Sequence, residues 1–415
     1  MMDRSAKTRS GSGPFYGYII VIALFITMVF AAGINFAFGV FFEPVRTEFG
    51  WTSAMTAGAF SLSMIIQGLM GIVMGGLTDR LGPRIVMTIS AFILGIGYYL
   101  MSRIDTLWQL YLYYGVIIGV GTSSGYVTPL STVARWFNVK RNLMTGIVLI
   151  GMSLGTLIAP IVSERLIASY DWRLAYVISA IALFVVVLLS AQFLKRDPST
   201  FRQEPDGKAA NNPIVSKLNS TGFSLKEAIV KRQFWLLAGA ELCFGFILFS
   251  ILIHVVPHAS FLGISSVRAS VVLAALGFFG IIGRIVLGNA ADRIGNKRIY
   301  MVGFALLTAA LLWLAFADEE WKLYVFSAIF GFSFAGMETS ESPMAAWLFG
   351  LKAHGLVFGT LIVAFTVGAS LGPLLTGYIF DLTGKYQLAF IILAVFGILG
   401  LSFTVQLKSL LMNRT

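Results

Sequence analysis

The chain has 415 residues, 57% of them hydrophobic and only 12% charged, and its 43 glycines outnumber its 19 acidic residues. Mean hydropathy is +0.85 and the formal net charge is +11. A water-soluble domain of this size carries far more charge, so the composition excludes one and leaves a chain built to sit in a bilayer.

Crossing the hydrocarbon takes about 20 apolar residues at about 1.5 Å each. Twelve runs qualify: residues 16–42, 51–77, 85–102, 107–134, 143–163, 172–194, 233–258, 267–291, 298–316, 321–346, 355–381 and 386–407. Lipid offers no hydrogen bonds, so each run is predicted to be a helix, and the fold class is all-α integral membrane. Met1–Pro14 is short, polar and basic, and the run after it is too long for a cleaved signal-peptide core, so that run is expected to stay as the first helix. The first run carries Asn35, and the fourth carries Ser123 and Tyr126 in its inner half. The seventh carries Glu241, His254 and the only cysteine, Cys243, which rules out an intrachain disulfide. His254 and His258 have a spacing that metal can use, but Pro257 intervenes and no carboxylate or cysteine accompanies them, so no metal is expected. His258 is expected at the membrane interface.

The eighth run, Val267–Ala291, contains Arg284, the one Lys or Arg well inside any run. A cation there costs about 2.5–3.5 kcal/mol on insertion scales and normally faces a bundle interior or wet cavity. A guanidinium's planar fork suits a carboxylate, so Arg284 is the leading anion site. Glu338 in the tenth run and Glu241 lie at a similar inner depth, where either can neutralise Arg284 or form a fixed polar contact. The eleventh run, Gly355–Asp381, has no Lys, Arg or His, and holds Phe365 midway.

Placed with the N-terminus inside, the inner segments carry 22 Lys and Arg and the outer loops 7. This positive-inside asymmetry predicts both termini in the cytoplasm and argues against nucleic acid as the partner of the net charge. Trp51, Trp108, Trp172 and Trp321 near outer ends, with Trp136 and Trp235 near inner ends, are expected to form an aromatic belt.

The chain also repeats itself. GGLTDRLGPR at 75–84 returns as GNAADRIGNKR at 288–298, so Asp79-Arg80 and Asp292-Arg293 are 213 residues apart. Gly151-Met-Ser-Leu-Gly155 matches Gly368-Ala-Ser-Leu-Gly372, and Leu174-Ala175-Tyr176 matches Leu388-Ala389-Phe390, at offsets of 217 and 214. Two pseudo-symmetric six-helix bundles follow, residues 1–194 and 233–415, joined by a cytoplasmic linker, 195–232, rich in Pro, Asn, Ser and basic residues. Ser224-Leu-Lys-Glu227 is a possible capping box, predicting a short helix from Leu225 into the seventh. The paired glycines are expected to permit close helix approach, and Pro160 and Pro373 to kink their helices.

The doubled loop motif, twelve runs and basic linker resemble the major facilitator superfamily over essentially the whole chain. Residues 39–52, GVFFEPVRTEFGWT, with Tyr16-Gly-Tyr-Ile-Ile-Val and His254-Val-Val-Pro-His258, resemble bacterial monocarboxylate transporters and oxalate/formate antiporters. The resemblance implies that Arg284 holds a substrate carboxylate, and that Asp79, Arg80, Arg84, Asp292 and Arg293 form a charge-relay gate at the cytoplasmic ends. Two departures matter. The oxalate-exchanging branch has a lysine in helix 11 that is missing here, so one carboxylate fits better than two. The animal carriers place an aspartate where this chain has Gly280, so their proton route does not transfer.

The expected function is secondary transport of small monocarboxylates such as lactate or pyruvate, by proton symport in a bacterial cytoplasmic membrane, acting as a monomer. No cofactor is expected beyond the proton as coupling ion. Tyr126, Ser123, His254, Asn35 and Phe365 join Arg284 as substrate-site candidates, each also able to serve as a plain helix contact. Glu338 and Glu241 are the proton-coupling candidates. Carboxylate exchange and a non-transporting carboxylate sensor are the alternatives. No nucleotide loop, nucleophile–base pair or metal cluster points to an enzyme.

Overall fold

A chain in lipid must satisfy every backbone amide internally, and this one does so with helices. The computed structural model describes residues 15–201, 205–207 and 222–410. In chain order the crossing helices are α1 (Gly17–Phe36), which continues beyond Ala37 as Phe38–Phe49, α2 (Ser53–Leu81) and α3 (Pro83–Met101). Helix α4 is composite: Leu107–Leu110, a π-helical stretch Tyr111–Ile118, Gly119–Thr122 and, after Ser123, Ser124–Trp136. The first half closes with α5 (Arg141–Ser169) and α6 (Trp172–Phe193). The second half comprises α7 (Arg232–Phe261), α8 (Ser266–Ile294), α9 (Asn296–Ala315), α10 (Glu320–Phe349), α11 (His354–Thr383) and α12 (Gln387–Val405).

Ten described helices are long and apolar enough to cross a membrane. The two that fall short are α4, broken by its π-helical stretch, and α10, whose middle reads Glu338-Thr339-Ser340-Glu341-Ser342. Helical stretches that depart from regular apolar α-helix often mark functional positions, and these two helices supply much of the site below.

The internal repeat is visible as geometry. Gly82 and Gly295, at matched positions, have φ of 85° and 94°, a region an L-residue rarely enters, and each lets one helix turn directly into the next. Helix α5 lies against α1 at Gly151 and Gly155, and α11 against α7 at Gly368 and Gly372. A Cβ at any of these four glycines would fall under 3.0 Å from a backbone oxygen of the partner helix. Such close approach is what holds helices together where lipid removes the hydrophobic drive. The halves meet chiefly along two pairs, α2 with α11 and α5 with α8, with α4 and α10 also touching across the boundary. Gly71 and Gly75 face Gly359 and Gly355 in the first pair, and Gly146 faces the Arg284 backbone in the second.

We call the end of the bundle where α2 turns into α3 and α8 into α9 the basic face, since most Lys and Arg among the described residues lie there. The linker touches both halves at this face. Asp206 accepts the amides of Asn138, Val139 and Lys140 at 2.9, 2.6 and 3.2 Å, and the Phe223 amide donates to Phe349 O at 2.8 Å. Residues 202–204 and 208–221 lie outside the described part. Ser224 and Glu227 form the expected capping box, but the helix Leu225–Ile229 stops before α7 instead of running into it.

The tryptophan belt is partial. Trp108, Trp235 and Trp321 are exposed, whereas Trp136 and Trp172 are buried. Each buried indole has an internal acceptor, Lys195 O at 2.9 Å and Glu48 Oε2 at 2.6 Å, which allows the ring to leave the interface. On the face opposite the basic one, burial works against ionisation of Glu48. Hydrogen bonds from Trp172 and Arg173 outweigh it and hold this carboxyl below its usual range.

Candidate functional site

Arg284, Glu338, Glu241 and Tyr126 each lie roughly ten residues, about 15 Å of helix, from the basic end of α8, α10, α7 and α4. The fold brings them together. Arg284 is buried, and its Nη2 donates to Glu338 Oε2 at 2.5 Å. Its Nη1 donates to Ser153 Oγ on α5, across the boundary between halves. Its Nε has no partner among the described residues. Arg284 therefore already holds one carboxylate and one hydroxyl, the pattern of groups that recognises a carboxylic acid.

Glu338 is thus the internal partner of Arg284, one of the two arrangements the sequence left open. Glu241 is not: its Oε1 accepts from Tyr300 on α9 at 2.8 Å, and its Oε2 has no partner among the described residues. A third buried carboxylate, Glu341, stands one turn along α10 from Glu338 and went unnoticed in the sequence reading. The Tyr126 hydroxyl donates to its Oε2 at 2.6 Å, again across the halves. The i,i+3 spacing of Glu338 and Glu341 was the available signal, since it puts both on one helix face.

Other candidates divide. Asn35 is buried with Oδ1 unpartnered among the described residues, while its backbone oxygen accepts from Tyr114 at 3.1 Å. Ser123 is buried and donates to Val120 O of its own helix at 2.6 Å, so its hydroxyl is spent locally. Phe365 packs against Phe244 and Phe249, with centroids 5.7 and 6.1 Å away, as a contact between α11 and α7. His254 is engaged with α11, its Nε2 3.0 Å from Pro373 O. His258 is buried among Tyr386 and Phe390 instead of lying at the interface, because the Phe and Tyr rings of that end enclose it. Helix α11 begins one residue before the predicted run, with His354, which is buried and 2.9 Å from Ser342 Oγ. No group of three or more His, Cys, Asp or Glu placed to hold a metal occurs among the described residues.

At the basic face the repeated aspartates cross over. Asp79, ending α2, accepts the amides of Gly355 and Leu356 in the first turn of α11 at 3.1 and 3.0 Å. Asp292, ending α8, accepts the amides of Asn142 and Leu143 in the first turn of α5 at 2.8 and 3.0 Å. Each half caps a helix of the other, using the orphan amides and positive dipole end of a helix N-terminus. The arginines of the repeat do not share this lock. Arg80 and Arg293 are exposed, and Arg84 donates to Gln192 within the first half at 2.7 Å. The cation on Asp79 is Arg135 of α4, at 2.8 Å, which also donates to Leu351 O at 2.9 Å. A helix N-terminus gives a carboxylate several short bonds in one place, which an exposed guanidinium in water does not. With both caps made, the two halves are bonded to each other at the basic face.

Residues 24–289 and 259–408 match the model of the Major Facilitator Superfamily. Monocarboxylate transporter 13 of Rattus norvegicus is 24% identical over 391 residues, covering 93% of this chain and 87% of that protein. The uncharacterized MFS-type transporter YhjX of Escherichia coli is 26% identical over 358 residues, covering 85% of each. In fold the chain is similar to the proton:xylose symporter XylE, with a TM-score of 0.77 at 13% identity over 95% of this chain and 96% of that one. It is also similar to FucP in the outward conformation, with a TM-score of 0.73 at 16% identity over 95% and 100%. Ten described helices long and apolar enough to cross a membrane and a family match over nearly the whole length agree: the chain belongs to the Major Facilitator Superfamily and is a multi-pass membrane transporter.

Proposed function

We propose that this transporter carries small monocarboxylates of the lactate and pyruvate type, together with a proton, by rocking its two six-helix halves about Arg284. The observation that carries the reading is the buried Arg284–Glu338 pair at 2.5 Å, with Ser153 of the other half on the same guanidinium. A carboxylate substrate is the chemical equivalent of what Arg284 already binds, and it can take the place of Glu338. Among the described residues Arg284 is the one cation in this cluster, which favours one carboxylate over two. Similarity to monocarboxylate transporters over most of the chain supports the same substrate class.

Proton coupling follows from charge. A substrate anion added to this cluster leaves Glu338 without its cation, and an uncompensated charge in hydrocarbon is expensive. A proton entering the carboxylate cluster with the anion restores the charge of the empty site, so the cargo crosses without net charge. Tyr126 and Asn35 are the further polar groups that the first half offers to the substrate, beside Ser153. The basic face is assigned to the cytoplasm of a bacterial cell by its Lys and Arg, with both termini there, and a single chain is the functional unit. Asp79 and Asp292 serve as the cytoplasmic gate.

Proteoliposome uptake with labelled mono- and dicarboxylates, with and without an imposed pH gradient, tests the reading. Monocarboxylate accumulation driven by an acid exterior is expected. Uptake that requires substrate on the far side and ignores the gradient would make the protein an exchanger instead.

A further inference from the structure

Alternating access moves one half against the other, so bonds inside a half persist while bonds between halves change. The three buried carboxylates sort on that basis. Glu338 is held by Arg284 and Glu241 by Tyr300, all within the second half. Glu341 is bonded across the boundary, by the Tyr126 hydroxyl of the first half at 2.6 Å. No cation is bonded to it, and its Oε1 has no partner among the described residues. The charged and titratable groups around it are Glu338 on its own helix, Glu241 of α7, Arg284 of α8, Tyr300 of α9 and Tyr126 of α4. From α11, His354 bonds the adjacent Ser342.

Arg284 compensates Glu338 in the empty site. A substrate carboxylate that takes Arg284 releases Glu338, which then stands one helical turn from Glu341 on the same face. Two carboxylates so placed do not both stay ionised in a dry site, and one proton is held between them. Glu241 is less suited to a travelling proton, since its bond to Tyr300 moves as a unit with the second half. We propose that Glu341 carries the transported proton, and that the Tyr126 hydroxyl from the opposite half links its protonation to the position of the halves. When the basic face opens, Tyr126 withdraws, water reaches the carboxyl, and the proton leaves to water. This inference rests on the reading of the protein as a proton-coupled carboxylate carrier.

The test uses the full chain in proteoliposomes with labelled lactate. Absence of gradient-driven accumulation in the unaltered protein defeats the symport reading itself, before any variant is considered. Given that accumulation, Glu341→Gln is expected to lose it about tenfold more than it loses lactate counterflow, with the coupled proton flux abolished. Gradient-driven accumulation at the unaltered level in Glu341→Gln overturns the proposal, as does an equal loss of counterflow and accumulation. Should that variant fail to fold, Tyr126→Phe leaves every carboxylate in place. It is expected to move the pH midpoint of uptake by about one unit, a tenfold change in proton affinity, while Tyr300→Phe leaves the midpoint where it was. No shift in Tyr126→Phe, or the same shift in both, overturns the assignment.

Discussion

Removing Arg284 separates the substrate site from a merely structural ion pair. Arg284 and Glu338 have side chains only 3% and 9% exposed, so Arg284→Ala strands a carboxylate away from water. Breaking a buried pair by removing one partner costs about 3–5 kcal/mol, whereas replacing both with neutral groups is close to neutral. Arg284→Ala should therefore lower the unfolding temperature in detergent markedly, and Arg284→Ala with Glu338→Gln should recover most of that loss. Transport should behave differently. The guanidinium makes two bonds in the described structure, and losing one charge-assisted bond of about 1.5–3 kcal/mol reduces kcat/KM roughly 10- to 100-fold. Arg284→Lys, which keeps charge without the fork, should show a loss of that size, and the stable double variant should be inactive. Unfolding measurements paired with proteoliposome uptake decide it. Transport by the double variant would mean that Arg284 only neutralises Glu338 and that the anion binds elsewhere.

Three further outcomes follow from the packing. Asp79→Asn and Asp292→Asn each weaken a cap between halves, and should open the basic face by about tenfold in equilibrium, read as faster maleimide labelling of a Thr360→Cys probe, at a half-buried position in α11 close to its capped N-terminal end, in a Cys243→Ser background. Gly368→Val should abolish folded protein, because even a Cβ collides with the Leu242 backbone, while Gly39→Ala, with open space around it, should be tolerated, as judged by gel filtration of the detergent-solubilised protein. Glu48 is held ionised by Trp172 and Arg173, so its lowered pKa contributes stability above the unfolded value near about 4.3 and loses it as pH falls through the folded value. The difference in unfolding temperature between the unaltered protein and Glu48→Gln should accordingly be present at neutral pH and shrink under acid conditions.

Much of the fold is written in one-dimensional patterns. Apolar length locates the helices to within a few residues, because a bilayer of fixed thickness demands a fixed rise. The repeat locates its turns, because Gly82 and Gly295 occupy backbone conformations that other residues resist. The paired glycines of α5 and α11 report close helix approach for the same kind of local reason. The site is less legible. Arg284 stands out since a charge in hydrocarbon is rare, yet its hydroxyl partner Ser153 is 131 positions away in sequence. Glu341 and Arg135 escaped notice because a carboxylate or arginine becomes informative only when its partner is known. The repeat marks Asp79 and Asp292 together with Arg80, Arg84 and Arg293, but only the aspartates bond the helix N-termini of the other half, and those ends meet only after the halves have docked.

By itself, then, the sequence determined that this protein crosses the membrane many times, repeats its six-helix plan, and commits one costly cation to the interior. Those follow from lipid thickness, from chirality at a few glycines and from the free energy of burying charge, all of which act on single segments. Only the tertiary structure decided which carboxylate Arg284 holds, which aspartate caps which helix, and which bonds cross between the halves. Those depend on side chains far apart in sequence arriving within about 3 Å of each other, a distance set by the packing of whole helices and by no local pattern.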